Sequence, residues 1–397
     1  TKGSMSDYSF DGTVLGQHAT VSDPVSGDQT WEKVVSKNLG LDLNMFNNRL
    51  SLTTDFYIRD TKGILGKDKS LPSIYGASEP QMNANNLRTK GYELVLGWRD
   101  SFKLAGSTFS YGITGTFSDY TAEYTKCDNP TGLIGDPYVG KKYGEIWGDK
   151  VDGLFRNDKE AAEYASRIDL STVASGYYTA TGAYGKGVRG GDIKYLDLNG
   201  DNIVNGGKGT LDDPGDRRVI GNSSPRYQYG ASLNFSWYGF DVSVFMQGIG
   251  RLDWYPGADN LRFWGPYCRP YATFVPKNFM SQVWSEENPD AYFPRARAYT
   301  SLNSNSGTAY YTNDRYLQNL AYCRLKNLTI GYTIPRRLTS KVGIKECRIY
   351  FSGENLATWS ALKSDFLDPE QAAADSDKKA NVYPWCKTYS IGLNLTF

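Results

Sequence analysis

The sequence has 397 residues, with 44 Lys and Arg against 43 Asp and Glu, for a formal net charge of +1. That balance excludes a protein that grips nucleic acid through a basic surface, and an aromatic content of 14% excludes a disordered chain. Tyr (30) and Gly (42) are abundant while His occurs once, at His18, so neither a Ser/His/Asp triad nor a His-based metal site is expected. Five Cys (Cys127, Cys268, Cys323, Cys347, Cys386) are an odd number without C-x-x-C spacing, which supports neither a disulfide framework nor a zinc site.

The abundant Tyr and Gly suit rings at a boundary between water and an apolar phase, and close strand packing with tight turns. No run of about 18 apolar residues occurs, so no transmembrane helix is expected. A mean hydropathy of -0.52 is compatible with transmembrane strands, because these alternate in polarity. Residues Thr1–Ser4 carry no secretion-signal pattern, which leaves a cytosolic protein or a piece of a longer chain.

In chain order, period-two alternation predicts strands near 31–46, 49–59, 88–99, 107–121, 229–237, 240–246, 321–333, 346–358 and 389–397. The last is the clearest: Tyr389, Ile391, Leu393, Leu395 and Phe397 alternate with Ser390, Gly392, Asn394 and Thr396. Between 121 and 229, Asp158 to Arg167 reads as a short surface helix with Asn157 as its cap.

The connections alternate short and long. Asn47-Asn48, Asp100 to Gly106, Trp237 to Gly239 and Pro335 to Lys345 are short, and the intervening ones are long. All long loops therefore fall at one end of the sheet, the signature of an outer-membrane barrel; a soluble sandwich has no reason to keep that parity. Aromatics at strand ends (Trp98, Trp237, Tyr238, Tyr332, Trp359) fit an interfacial girdle. The reading is all-β: an antiparallel transmembrane β-barrel portion of about nine strands, with long extracellular loops. An odd strand number cannot close a bacterial single-chain barrel, so a fragment with two open edges is expected.

Several segments, in order, resemble the SusC/RagA family of TonB-dependent outer-membrane transporters. They are Asn38-Leu39-Gly40-Leu41-Asp42, Gly91-Tyr92-Glu93-Leu94, Asp197-Leu198-Asn199-Gly200-Asp201, Val219-Ile220-Gly221-Asn222, Pro225-Arg226-Tyr227 and Arg324 to Tyr332. The resemblance implies that residues 1–397 form the C-terminal part of a large plugged barrel, with no plug domain or TonB-gripped segment recognisable among them. It further implies import of oligosaccharides or peptides across the outer membrane of a Gram-negative, Bacteroidota-like cell. The implied partners are a SusD-like lipoprotein, TonB through a missing N-terminal part, and outer-membrane lipid. A secreted glycan-binding or glycan-cleaving β-protein is the rival reading, and a structural or adhesive barrel the third; no enzyme activity is expected from the first.

One constellation suits a metal. Asp197, Asn199 and Asp201 place oxygen side chains at alternate positions of a tight loop, with the Ile203 carbonyl next, as a hard cation such as Ca²⁺ requires. Asn202 stands at the usual Gly position and Lys208 at the usual Glu position. The resemblance makes Asp216 the best closing acid and Asp213 the second. Ca²⁺ here is expected to stiffen an extracellular loop. The long loops hold many rings: Trp147, Tyr177, Tyr178, Tyr184, Trp254, Tyr255, Phe263, Trp264, Tyr267, Tyr310, Tyr311 and Trp385. They read either as a ligand or partner surface or as rings packing upon themselves, with packing preferred for any one ring. Asp55, Glu93, Asp119, Arg348 and Glu354 are expected on the wet face. Arg324 and Lys326 share parity with Leu328 and Ile330, which places them on the lipid face near the outer rim, suited to anionic lipopolysaccharide.

Overall fold

The computed structural model describes residues 2–3, 18–19, 27, 29–67, 80–179, 187–268, 275–297, 309, 311–364, 367–374 and 383–397. Nine strands form one sheet: β1 Lys33–Met45, β2 Leu50–Lys67, β3 Gln81–Leu104, β4 Ser107–Lys126 and β5 Arg226–Trp237, then β6 Phe240–Arg251, β7 Tyr322–Thr333, β8 Glu346–Ser360 and β9 Thr388–Thr396. Their order in the sheet is their order in the chain, an up-and-down meander with β1 and β9 at its edges. All the predicted strands are present.

Two strands run further than their side chains announce. β2 has 18 residues and β3 has 24, well beyond the roughly 9–11 that a tilted span needs. Apolar alternation in β2 ends near Ile58, but polar groups carry the pairing onward. Asn83 Nδ2 donates to the Gly63 carbonyl at 2.5 Å, and the Gly63 amide donates to Asn86 Oδ1 at 3.0 Å. The connection expected to open near residue 60 therefore opens after Lys67.

The short turns follow from residues that accept a left-handed backbone. Phe46, Asn47 and Asn48 have φ of 56°, 58° and 61°, with Asn the side chain best suited to that region. Ala105–Gly106 and Tyr238–Gly239 both have two positive φ values, the two-residue hairpin geometry whose twist matches that of the strands.

Register assigns the two faces. Ile113, Leu233, Val244 and Leu328 sit opposite one another across four strands, and Tyr111, Phe235, Val242, Ile330, Phe351 and Ile391 do so across six. The other face carries Ser232, Asn234, Ser243, Asn327, Thr329 and Ser352. Two aromatic rows bound the apolar face. Phe102, Phe109, Tyr111 and Phe235 form one, and Phe56, Tyr92, Phe117 and Tyr227 form the other. Phe109 and Phe117 are eight residues apart on β4, about 26 Å at strand rise. That matches the roughly 25 Å apolar band of an outer-membrane barrel.

On the polar face Arg348 reaches Asp241, with Nε to Oδ1 at 2.9 Å and Nη2 to Oδ2 at 2.5 Å. Gly331 makes room, because a Cβ there would collide with both side chains. Asp55, also on that face, accepts from Asn38 Nδ2 at 3.0 Å. Asp119 is not on the polar face as expected: it shares the parity of Ile113 and Phe117 in β4, and it is satisfied there by Arg226 through two bonds of 2.6 Å.

Arg324 and Lys326 are not on the lipid face. Phe245 pairs with Asn327 but Met246 with Leu325, so Lys326 is an extra residue in a β-bulge. The insertion reverses parity beyond it. Arg324 joins the polar face with Gln247, opposite to Leu328 and Ile330, and is almost fully buried there.

The long connections after β4, β6 and β8 share one apolar core. Phe155, Leu170, Tyr177, Ile193 and Tyr195 come from the first, Trp254, Phe263, Trp264, Phe293 and Tyr316 from the second, and Leu367 and Ala372 from the third. Helix α1, Asp158–Ala165, is capped as expected, with Asn157 accepting from the Glu160 amide; it buries Ala161 and is thus not wholly a surface element.

The chain divides into two compact units. The larger takes Asn38–Phe56, Gly91–Tyr120 and Tyr143–Phe397, and includes this loop core. The smaller takes Thr1–Lys37, Tyr57–Lys90 and Thr121–Lys142, and is held by strand pairing and polar contacts such as Arg88 with Asp60.

Candidate functional site

The Asp/Asn loop lies in the connection between β4 and β5. Asp197 accepts from the amides of Gly200 (2.7 Å) and Asn202 (2.9 Å), Asn199 Oδ1 from Asp201 (3.0 Å), and Asp201 Oδ1 from Ile203 (2.8 Å). Asn202 takes the left-handed φ of 65° that its position asks for. Asp216 comes to this loop from the far side. It is fully buried and accepts from Leu198 (2.6 Å), Asn199 (3.3 Å) and Asn205 (2.9 Å). Asp213 does not join them; it sits in a turn with Thr210 and its amide donates to the Thr210 hydroxyl at 3.2 Å.

The donors around Asp197, Asn199, Asp201 and the Ile203 carbonyl are all oxygen, and each side-chain oxygen keeps a lone pair beyond its amide bond. Asp216 is already committed to backbone amides, so its observed work is to close the loop. Among the described residues, no three His, Cys, Asp or Glu side chains converge as a metal site. A hard cation would thus rest on two carboxylates, one amide oxygen and one carbonyl.

Most of the loop rings are packing. Tyr177, Trp254, Tyr255, Phe263, Trp264 and Tyr267 are buried, with Trp264 and Tyr316 edge-on at 5.0 Å. Trp147 is partly exposed and donates to Glu145 at 2.7 Å, and Trp385 is about half exposed. Tyr184 and Tyr310 lie outside the described residues.

Two polar features of this loop body escaped the sequence reading. The first is a buried ionic latch. Arg324 Nη1 meets Glu370 Oε2 at 2.7 Å, Lys326 meets the same carboxylate at 2.8 Å, and Arg324 Nε donates to Thr358 at 2.9 Å. The Lys326 ammonium also stands 4.9 Å from the Trp385 ring centre. The second is a pair of buried acids. Asp192 is fully buried and meets Arg297 at 2.6 Å; burial still lifts its carboxyl to about 6 against the pull of Arg297. Asp149 is buried with Oδ1 lacking a hydrogen-bond partner. Burial raises it to about 6, Arg217 opposes, and the Asp216 and Asp314 carboxylates add to the rise. Sequence spacing offered no signal for either feature, since their members lie tens of residues apart.

The architecture defines a class: the wall of an outer-membrane β-barrel, with tight turns at one end and a folded loop body at the other. No protein-family model matches the chain. A TonB-dependent receptor of Formosa agariphila is 26% identical over 407 residues, covering 99% of this chain and 36% of the relative. The TonB-dependent receptor SusC of Bacteroides thetaiotaomicron is 22% identical over 373 residues, covering 92% of this chain and 32% of the relative. Among solved structures, that of the RagAB peptide transporter matches with a TM-score of 0.65 and 20% identity, over 100% of this chain and 38% of that chain. The chain is thus similar along nearly its whole length to TonB-dependent receptors of the SusC and RagA type, and its location is the outer membrane. It spans about a third of the length of the curated relatives it matches.

Proposed function

We propose that this chain supplies wall and outer loops to a TonB-dependent importer of oligosaccharides or peptides that works with a SusD-like surface lipoprotein. The observation that carries the reading is the shared core of the three long connections, all at one end of the strands and braced against the polar wall by Arg324. A preorganised body of that kind is suited to receiving a large ligand, or a partner that covers it, with little ordering cost. The TonB-dependent relatives support a role in uptake, and the similar RagAB protein is a peptide transporter, which supports peptides as one cargo class.

Ca²⁺ at Asp197, Asn199, Asp201 and Ile203, closed by Asp216, belongs to the same proposal as a stiffener of the outer loops. The test is uptake of labelled oligosaccharides and of labelled peptides by cells with and without the complete receptor, together with co-purification of a surface lipoprotein. Uptake of neither class, or isolation of the receptor always without a lipoprotein, would overturn it.

A further inference from the structure

We propose that the outward face of β1–β4, beyond the apolar band, binds the phosphates of lipid A in the outer leaflet. Arg88 and Lys90 continue the same alternation as Tyr92, Leu94 and Leu96 in β3. Lys62 and Asp60 continue that of Phe56 and Ile58 in β2, Lys37 that of Leu39 and Leu41 in β1, and Glu123 that of Phe117 in β4. Lys90 stands two residues past Tyr92, about 7 Å along the strand, at the depth where a phosphorylated glucosamine headgroup meets its acyl chains.

The charges are unequal. Arg88 pairs with Asp60 at 2.7 Å and Lys142 pairs with Glu123. Lys37, Lys62 and Lys90 are exposed beside them, and the third acid of this parity, Asp119, is already held by Arg226, so these three Lys are in excess of the acids on this face. The two ion pairs hold a fixed frame, and the three remaining ammonium groups give it a net positive field at a low-dielectric boundary, where phosphate binding is least screened. This is the anionic-lipid role that sequence parity had given to Arg324 and Lys326, which the bulge instead turns inward.

The test uses the complete receptor that carries this chain, in detergent at physiological salt, with fluorescent lipid A as probe. Replacing Lys62→Glu and Lys90→Glu together should weaken binding at least tenfold. Lys341→Glu with Lys345→Glu, an equal change of charge in the short connection between β7 and β8, should leave it unchanged. Dephosphorylated lipid A should bind the unaltered receptor at least tenfold more weakly than lipid A, a comparison that stands even if the double variant fails to fold. Equal binding of the two lipids, or an equal loss in both variants, would overturn the proposal. Binding here does not depend on what is imported, so loss of lipid binding and loss of uptake remain separate results.

Discussion

Arg324 Nη2 lies 2.8 Å from both carboxylate oxygens of Asp368, joining the barrel wall to a loop 44 residues further along the chain. With its guanidinium almost fully buried, Arg324 has no water to fall back on. Replacement by Met should leave Asp368 and Glu370 without their main counter-charge, a loss on the order of 3–5 kcal/mol for a buried pair broken from one side. Hydrogen exchange in the intact receptor should then show residues 367–374 opening while β9 stays protected. Unchanged exchange there would mean the latch holds nothing.

The wall should respond to charge by parity. Leu233 stands mid-band on the apolar face and Ser232 on the polar one. Leu233→Arg should cost about 2–4 kcal/mol of barrel stability near the membrane midplane, whereas Ser232→Arg should cost little. Refolding into lipid vesicles, followed by the mobility shift of folded barrels on gels, gives the comparison.

These faces were legible in the sequence because each strand buries one side in a uniform solvent. Period two then survives across Leu233, Phe235, Val242 and Ile330 without any tertiary information. Two things broke the reading. Past Ile58 in β2 the outward positions turn from apolar to charged at Asp60 and Lys62, so apolar alternation disappears while the pairing continues through Asn83 and Asn86. At Lys326 one extra residue shifts the parity, and no residue type marks a bulge in advance. Of the Asp/Asn loop, its local turn was legible from Asp197 to Ile203, but the burial of Asp216 depends on the fold of the whole connection.

Asp149 should make the outer loop body sensitive to pH. Its carboxyl is raised from 3.8 to about 6, so the folded state favours the neutral form. The stability it lends is therefore full below pH 4 and is lost as pH rises through about 6, a change on the order of 3 kcal/mol. Asp149→Asn, neutral throughout, should flatten this part of the profile. Thermal unfolding of the intact receptor from pH 4.5 to 7.5 reads the difference; identical slopes would remove Asp149 from the account.

Calcium titration of the intact receptor by calorimetry addresses the Asp/Asn loop. Asp201→Ala, which removes one of two carboxylates from the candidate ligand set, should weaken Ca²⁺ binding at least tenfold. Asp213→Ala should leave it unchanged, because Asp213 sits apart with Thr210. An unaltered affinity in the first variant would exclude Asp201 as a ligand.

The bulge at Lys326 has a consequence for how such walls change over time. Moving a charge from lipid to water by substitution needs a new residue at a new position, and each intermediate is exposed to the wrong solvent. A single-residue insertion does it at once for the whole outer end of the strand, while the inner end keeps its register. Loss of Lys326 alone would swing Arg324 out into the membrane and release Asp368 and Glu370 together. Length variation inside a strand, usually read as damage, is here a means of re-lining the cavity.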